Sequence, residues 1–326
     1  MTMNRRKFNQ ILIAGSGAMI AAPFVHAQGA WPNKPIRVIV PYTPGGFTDN
    51  VARMVSQKLS ERLGQQVIIE NKPGAGSLIG VDAIAKAAPD GYTFGVVIAA
   101  YAANMTLYPK LPYAQKNLQP VSLIGVSPLV GAVNKDLPYK NAQQLIAYAR
   151  ANPGKVSYGS SGNGSAVHLS TELLKMLTKT YMLHIPYRGA APALTDLMGG
   201  HIQLFMDAAS GLIQPIKTGR VQAIGVASTK RLSVLPEVPT FIEQGIAGFV
   251  GSTWAGMLAP TGVPADIIKR ISDEIAQIVK LPDIRSKFDE MGVFPEGSTP
   301  DEFKRFIDEE IKTWGNVITT AKVKPD

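Results

Sequence analysis

The chain contains no cysteine among its 326 residues and only four histidines. The missing thiols exclude disulfides, thiolate nucleophiles and thiolate metal sites. His168, His184 and His201 lie far apart in the sequence, and none has metal-ligand spacing to another. We therefore predict no metal site, and a stability that comes from the hydrophobic core alone.

Two nucleotide-binding signatures are also missing. The phosphate loop Gly-x4-Gly-Lys-Ser/Thr is absent, so ATP hydrolysis has no support. The loop at 71–77 superficially resembles a dinucleotide fingerprint, but Ile79 occupies the position of the third glycine. The strand predicted at 94–98 also lacks the acidic residue that would hold a ribose. We therefore predict that the chain has no cofactor.

The N-terminal apolar run, residues 11–25, is shorter than the roughly 20 residues of a membrane-spanning helix. It follows Arg5, Arg6 and Lys7 and ends at Val25-His26-Ala27, which predicts a signal peptide over residues 1–27, cleaved after Ala27. Residues 4–8 also resemble a twin-arginine export signal, while the general secretory route stays open. Cleavage removes three positive charges and no acids, so the formal net charge falls from +9 to +6. A moderately basic exported protein suits a carrier of anions, although a solvated basic surface is the commoner explanation.

Hydrophobic residues make up 45% of the chain and charged residues 17%, which is typical of a soluble globular protein with more than one domain. From residue 36 onward, strand and helix patterns alternate, which predicts parallel sheets covered by helices. An apolar stretch at 118–133, interrupted by Gly125, Pro128 and Gly131, is unlike a single strand of a small sheet. The alternation restarts after it, so the stretch is interpreted as the connection to a second α/β unit.

A Pro-Gly-Gly loop at 41–49 lies between a predicted strand, 36–40, and a helix predicted to begin at about Asn50. Its glycines allow the backbone to approach a ligand closely, and the amides at the start of the helix favour an anion. Taken alone, these nine residues are more often only a sharp turn. The loop becomes a candidate site because a second glycine-rich loop precedes a helix later in the chain.

A second glycine-rich loop, residues 158–168, again joins a predicted strand to a predicted helix. Its glycines, serines and Asn163 form a set of amide and hydroxyl donors suited to a carboxylate or phosphate. Ser161 does not form a nucleophile elbow, because position 163 is not glycine. An exported hydrolase that uses Ser160, Ser161 or Ser165 with His168 is therefore kept only as a weak alternative.

Two further strand ends carry candidate residues. Tyr187 is interpreted as an aromatic wall of a binding site, and Arg188 as either a partner for an acid or a solvated loop residue. Asp207 follows the strand predicted at 202–206 and has two interpretations. It either orients a ligand amine, hydroxyl or water, or caps the next helix.

Five motifs in one order resemble the tripartite tricarboxylate transporter substrate-binding proteins, also called Bug receptors. They are Pro44-Gly45-Gly46 with Asp49, residues 71–77, Tyr158–Gly162 with His168, Pro186–Gly189 with Ala191–Ala193, and Gly225–Ser228 with Pro236–Thr240. The resemblance implies an α/β protein of the type II periplasmic-binding fold, in which two domains close by a hinge on a ligand. It implies one domain of residues 28–125 plus 229–326 and another of residues 126–228.

The resemblance also implies a site. In this family the first and the second glycine-rich loop together hold a ligand carboxylate, partly through water. We therefore predict these ligand-binding residues: Tyr42, Pro44, Gly45, Gly46, Phe47, Gly76, Ser77, Ala100, Tyr101, Ser160, Ser161, Gly162, Asn163, Ser165, Tyr187 and Asp207.

The predicted function is that of a periplasmic receptor, not an enzyme, for a small organic carboxylate. Its predicted partners are that ligand and the permease subunits of a membrane transporter. No nucleic acid is expected, and the chain is expected to be a monomer. A sensor that presents the ligand to a membrane kinase is an alternative, since such a partner would read the same closed shape.

Overall fold

A computed structural model describes residues 31–325, and residues Lys34–Asp326 cluster as one unit. The predicted signal peptide lies outside the described residues. The strands are β1 (Ile36–Val40), β2 (Val67–Asn71), β3 (Thr93–Val97), β4 (Leu118–Asn134), β5 (Ser157–Ser160), β6 (Leu183–Pro186), β7 (Leu204–Ala208), β8 (Val221–Val226), β9 (Ser252–Pro260) and β10 (Phe294–Pro295). The helices are α1 (Phe47–Leu63), α2 (Leu78–Ala85), α3 (Ala100–Leu107), α4 (Ala142–Ala151), α5 (Ala166–Thr178), α6 (Ala190–Met198), α7 (Ala209–Lys217), α8 (Ala265–Ile278), α9 (Pro282–Glu290) and α10 (Pro300–Ala321).

The predicted alternation of strands and helices forms two sets of parallel strands. β1 lies between β2 and β3 and is parallel to both, while β5 lies between β6 and β7 in the same way. The full strand order is β2-β1-β3-β9-β4-β7-β5-β6, with β8 and β10 also paired to β4. Parallel strands place the loops that follow their carboxyl ends at one edge of the sheet, where ligands bind in such folds.

The apolar stretch at 118–133 forms β4, a single strand of 17 residues, although the stretch was predicted to be unlike a single strand. Its first part pairs with β9 and its last part with β7 and β8, so β4 belongs to both sets of strands. Its register opposite β9 shifts between Pro120 and Ser122 and again between Leu123 and Gly125. Such irregularities bend a strand, which explains how so long a strand fits this sheet.

Two hydrophobic clusters of residues within 31–325 form much of the core. One is built from buried residues between Leu129 and Phe249. The other joins residues between Ile39 and Leu123 to residues between Trp254 and Ile318, and also includes Leu169. Each cluster covers one part of the sheet with helices, as the two predicted α/β units require. The domain boundaries at 125/126 and 228/229 stay a prediction.

Several predicted element boundaries differ from the observed ones. The helix predicted to begin at about Asn50 begins at Phe47, because Gly46 is extended and serves as the N-cap. Helix α3 was not predicted, since its apolar sequence carries no capping signal. The capping signal before α10 is confirmed, because Thr299 accepts a hydrogen bond from the amide of Glu302 at 3.3 Å. No helix within residues 31–325 is long and apolar enough to cross a membrane.

Candidate functional site

A cavity of about 730 Å³ lies where the glycine-rich loops meet. This volume suits a small organic molecule. Its lining residues are Tyr42, Thr43, Gly46, Phe47, Thr48, Ala75, Gly76, Ile98, Ala100, Asn104, Leu107, Tyr108, Leu129, Ser161, Gly162, Asn163, Gly164, Ser165, Ala166, Val167, Gly189, Ala190, Asp207, Ala208 and Thr253.

The N-terminal residues of five helices contribute to this lining. They are Gly46, Phe47 and Thr48 at α1, Ala100 at α3, Ser165, Ala166 and Val167 at α5, Gly189 and Ala190 at α6, and Ala208 at α7. The first turn of a helix carries unpaired amide donors and a partial positive charge. None of the lining residues within 31–325 is Lys, Arg or His. Among these residues, the attraction for an anion therefore comes from the backbone and from hydroxyls.

The Pro-Gly-Gly loop is held from behind by Asp49. One carboxylate oxygen accepts hydrogen bonds from the Gly45 amide at 2.9 Å and from Arg53 at 2.8 Å. The other accepts from Asn71 at 2.8 Å, whose amide group also donates to the carbonyl of Tyr42. Burial alone would raise the pKa of Asp49, but these hydrogen bonds together hold it below its ordinary value. The ionised Asp49 thus fixes the Pro-Gly-Gly loop in the conformation in which Gly46 lines the cavity.

The loop before α2 brings Gly76 next to α3 at the cavity. Asn104 of α3 donates to the carbonyl of Gly76 at 2.9 Å, which fixes this turn. Gly76 has a φ of +61°, and a Cβ there would lie 3.0 Å from the hydroxyl oxygen of Tyr108. Glycine is needed at this position both for the left-handed backbone and to leave room for Tyr108.

The second glycine-rich loop is fixed by side chains beneath it. The Oγ of Ser160 and the Nε2 of His184 lie 2.7 Å apart, and the Gly162 amide donates to the same Oγ at 3.3 Å. The Gly164 amide donates to Nδ1 of His168 at 3.1 Å. Ser161, Gly162 and Asn163 are left facing the cavity between these two attachment points.

A buried polar network continues behind the histidines. His168 and His184 stack with their ring centroids 3.8 Å apart. The Tyr158 hydroxyl donates to Glu172, which also accepts from Lys175 at 2.6 Å. Burial first, and then the charges of His184 and Lys175, lower the pKa of His168 to about 3. His168 is therefore neutral at physiological pH, and its Nδ1 is free to accept the Gly164 amide.

This arrangement contradicts the hydrolase alternative. His168 is engaged with the Gly164 amide rather than with a serine hydroxyl. Ser160 does contact a histidine, but that histidine is His184, and Ser160 is fully buried. A nucleophile must be reachable by its substrate, so the pair holds the loop instead of performing chemistry.

Asp207 lies on the cavity wall at the end of β7. Its Oδ1 accepts a hydrogen bond from the Ala208 amide at 2.9 Å. The alternative that Asp207 caps α7 is wrong, because the N-cap is Ala208 and no side chain caps this helix. Burial raises the pKa of Asp207 to about 7, and the Ala208 amide opposes this only in part.

Ten of the sixteen predicted site residues line the cavity: Tyr42, Gly46, Phe47, Gly76, Ala100, Ser161, Gly162, Asn163, Ser165 and Asp207. The other six, Pro44, Gly45, Ser77, Tyr101, Ser160 and Tyr187, do not. Pro44 and Gly45 are exposed beside it, while Ser77 and Ser160 are buried beneath their loops.

The two predicted aromatic residues Tyr101 and Tyr187 have structural partners instead. Tyr101 is 2% exposed and stacks on Tyr113, because the first turn of the unpredicted helix α3 turns it into the core. The hydroxyl of Tyr187 donates to Asp196 at 2.6 Å. Neither ring forms a wall of the cavity.

Several lining residues were not predicted from the sequence. Asn104 and Leu107 lie in α3 and Tyr108 follows it, and the sequence of this helix gave no signal that one of its faces meets the loops. Leu129 comes from β4, within the stretch interpreted as a connection, and Thr253 comes from β9; neither was singled out as a site residue. Gly189 and Ala190 could have been found, because a glycine between a strand and a helix was the signal used for the other loops. No group of three His, Cys, Asp or Glu side chains in residues 31–325 could hold a metal ion.

Comparison with known proteins identifies close relatives. The model of the tripartite tricarboxylate transporter family receptor matches residues 51–323. BugT of Bordetella pertussis is 37% identical over 319 residues, which cover 96% of this chain and 97% of BugT. The structure of R. palustris Rpa4515 with adipate is 34% identical, with a TM-score of 0.83 over 91% of this chain and all of that chain. MatC from Rhodopseudomonas palustris with bound malate is 31% identical, with a TM-score of 0.77 over 88% of this chain and all of MatC. These similarities confirm the predicted α/β periplasmic-binding fold.

Proposed function

Because the chain belongs to the tripartite tricarboxylate transporter receptor family, we propose that it captures a small organic carboxylate in the cavity and delivers it to a membrane transporter. The family consists of solute receptors rather than enzymes, in agreement with the predicted absence of catalysis.

The convergence of five helix N-termini on one cavity carries this proposal. A ligand carboxylate there accepts hydrogen bonds from backbone amides and from hydroxyls such as that of Ser161. Hydrogen bonds to an ionised acceptor are shorter and stronger than neutral ones. Burial of the ligand also removes the water that would compete for them. A basic side chain is not required.

The relatives support a carboxylate as the ligand. Rpa4515 was solved with adipate and MatC with malate, and both ligands are dicarboxylates. The cavity of about 730 Å³ has room for molecules of this size and for larger ones. The apolar lining residues Phe47, Leu107 and Leu129 would contact the carbon skeleton of the ligand.

The proposed mechanism is hinge closure between the domain of residues 28–125 plus 229–326 and the domain of residues 126–228. Gly46 lies in one of these parts and Ser161 in the other, so a ligand that contacts both loops favours the closed form. Such a ligand shifts the population toward closure by its differential affinity for the two forms. A transporter would then recognise the closed shape.

Export to the periplasm follows from the predicted signal peptide over residues 1–27. The proposed partners there are the permease subunits, with a sensor kinase as the alternative. Uptake of labelled ligand into vesicles that contain the permease, with and without the receptor, tests delivery. Stimulation of a kinase without any stimulation of uptake would favour the sensor.

Binding is tested with the mature chain, residues 28–326, by calorimetry and native mass spectrometry against mono- and dicarboxylates, each paired with its primary amide. We expect 1:1 binding of at least one acid, and at least about ten-fold weaker binding of its amide, since the charge-assisted hydrogen bonds are lost. Gly46→Val, which adds a side chain at the cavity wall, is the negative control. Equal binding of acid and amide, or no binding by any acid, would contradict the proposal.

A further inference from the structure

Among the residues of 31–325 that line the cavity, Asp207 is the only one with a formal negative charge, and none carries a positive one. A carboxylate is unexpected in a cavity proposed to bind carboxylates, because two like charges repel each other. Asp207 must therefore make an interaction with the ligand that offsets this repulsion.

Within residues 31–325, Asp207 has no charged partner that would stabilise its ionised form. Oδ1 accepts the Ala208 amide, but no Lys, Arg or His within residues 31–325 lies within 4.0 Å of its oxygens. Oδ2 lies over Gly211 of α7, where a Cβ would approach it to 2.5 Å. Glycine therefore leaves the space that this oxygen occupies. The carboxyl group does not cap α7 either.

The surroundings of Asp207 on the sheet are mostly apolar. Val130 of β4 lies opposite Asp207, and Leu129 lies opposite Ala208. This environment makes the ionised carboxylate costly, as the raised pKa of Asp207 indicates. A hydrogen-bond donor from a ligand would offset that cost. Thr253, another lining residue, has a buried hydroxyl that makes no hydrogen bond within residues 31–325.

We propose that Asp207 is a specificity-determining residue that accepts a hydrogen bond from a hydroxyl or ammonium group of the ligand. It thereby selects hydroxy- or amino-substituted carboxylates over the unsubstituted acids of the same skeleton. The inference rests on the proposed function, since Asp207 can bind the hydroxyl or ammonium substituent only while the glycine-rich loops hold the ligand carboxylate. A site that hydrogen-bonds a substituent discriminates strongly against the analogue that lacks it.

Calorimetry on the wild-type chain and on Asp207→Asn tests this inference. The panel contains linear and aromatic carboxylates, each as the unsubstituted, hydroxy and amino form. We expect the best hydroxy or amino form to bind about ten-fold or more tightly than its unsubstituted analogue in wild type. Asp207→Asn should reduce this ratio to about three-fold or less, with the largest loss for an amino form, because its charge partner is gone.

Asp136→Asn is the matched control, since it makes the same change at an exposed turn and should leave every ratio unchanged. If Asp207→Asn does not fold, Asp207→Ala takes its place. Binding of acids with a ratio that does not change in Asp207→Asn would overturn the role of Asp207 and leave the proposed function intact. Tighter binding of an unsubstituted dicarboxylate than of its hydroxy and amino forms would also overturn it. Absence of binding for every acid would instead refute the proposed function.

Discussion

Leu107 of α3 fills the space beside the α-carbon of Gly164 in the second glycine-rich loop. A Cβ on Gly164 would lie 2.2 Å from Cδ2 of Leu107, and the φ of Gly164 is +70°. Both residues line the cavity, Leu107 as a member of the second hydrophobic cluster and Gly164 as part of the second glycine-rich loop. The contact therefore joins the two walls of the cavity directly.

Gly164→Ala should weaken ligand binding and lower the free energy of unfolding by about 1–3 kcal/mol, because it strains the backbone and collides with Leu107. Leu107→Ala removes the collision but not the backbone strain. In a double-mutant cycle measured by urea unfolding and calorimetry, the double variant should be less impaired than the sum of the single variants. Strictly additive losses would show that the contact does not couple the two walls.

Gly45 and Gly46 are adjacent but should respond differently to substitution by valine. Gly46 has an ordinary extended backbone, and a Cβ there would meet only the carbonyl of Thr43, at 4.0 Å. Gly45 has a φ of +86° and does not line the cavity. Gly46→Val should therefore reduce affinity at least ten-fold while it costs less than about 1 kcal/mol of stability, as for an unfavourable N-cap.

Gly45→Val is the control for that experiment, and its main effect should be a loss of stability of roughly 1–2 kcal/mol through the left-handed backbone. Calorimetry and thermal unfolding of both variants separate the two roles. If Gly46→Val collapses the melting temperature but retains affinity, this glycine serves the fold rather than the site.

Asp207 should make the ligand-free protein less stable as the pH rises. Its pKa is about 7 in the folded chain, against about 3.9 in an unfolded chain. Between these values the folded state holds a proton that the unfolded state has lost, so the stability falls as the pH rises from 4 to 7. Asp207→Asn should thus be stabilised relative to wild type at pH 8 and much less so at pH 5. Thermal unfolding at both pH values measures this, and an identical difference at the two values would show that Asp207 titrates normally.

The sequence predicted those parts of the fold and site that follow from local patterns. Hydrophobic periodicity, turn-forming residues and helix-capping residues are visible in the strand–helix alternation at 36–63 and in the two glycine-rich loops. These signals specify backbone conformation, and backbone amides form much of the proposed anion site. Residues such as Gly46 and Ser161 could therefore be predicted before any tertiary contact was known.

Tertiary contacts account for what the sequence did not reveal. His184 lies on strand β6 and His168 on helix α5, so nothing local predicts that the two rings stack. Tyr101 is an aromatic residue of a type common in binding sites, but the orientation of α3 directs its side chain into the core. Long-range packing decides which face of a short apolar helix meets a cavity. Neither the hydrophobic periodicity nor the capping residues of the helix indicate that face.

Tyr158 should contribute to stability through Glu172 rather than to binding. Its hydroxyl is buried and donates to a carboxylate that also pairs with Lys175. Tyr158→Phe leaves Glu172 with fewer donors and should lower the free energy of unfolding by about 1–3 kcal/mol. Tyr148→Phe is the control, because Tyr148 is exposed and should change stability by less than about 0.5 kcal/mol. Equal effects in urea unfolding would contradict a role for the buried network.

His168 should make the protein lose stability in acid. Its pKa is about 3 when folded, against about 6.5 when unfolded, so between these values the unfolded state binds a proton that the folded state does not. The stability therefore falls as the pH is lowered from 6.5 toward 3, by up to about 1.4 kcal/mol per pH unit for this group. His168→Asn places an oxygen near the position of Nδ1, which keeps an acceptor for the Gly164 amide but cannot titrate. Urea unfolding should show a shallower loss between pH 6.5 and 4 in this variant than in wild type, whatever its stability at pH 7. Parallel curves would mean that the acid sensitivity comes from carboxylates alone, and that the neutral state of His168 is not what secures the loop.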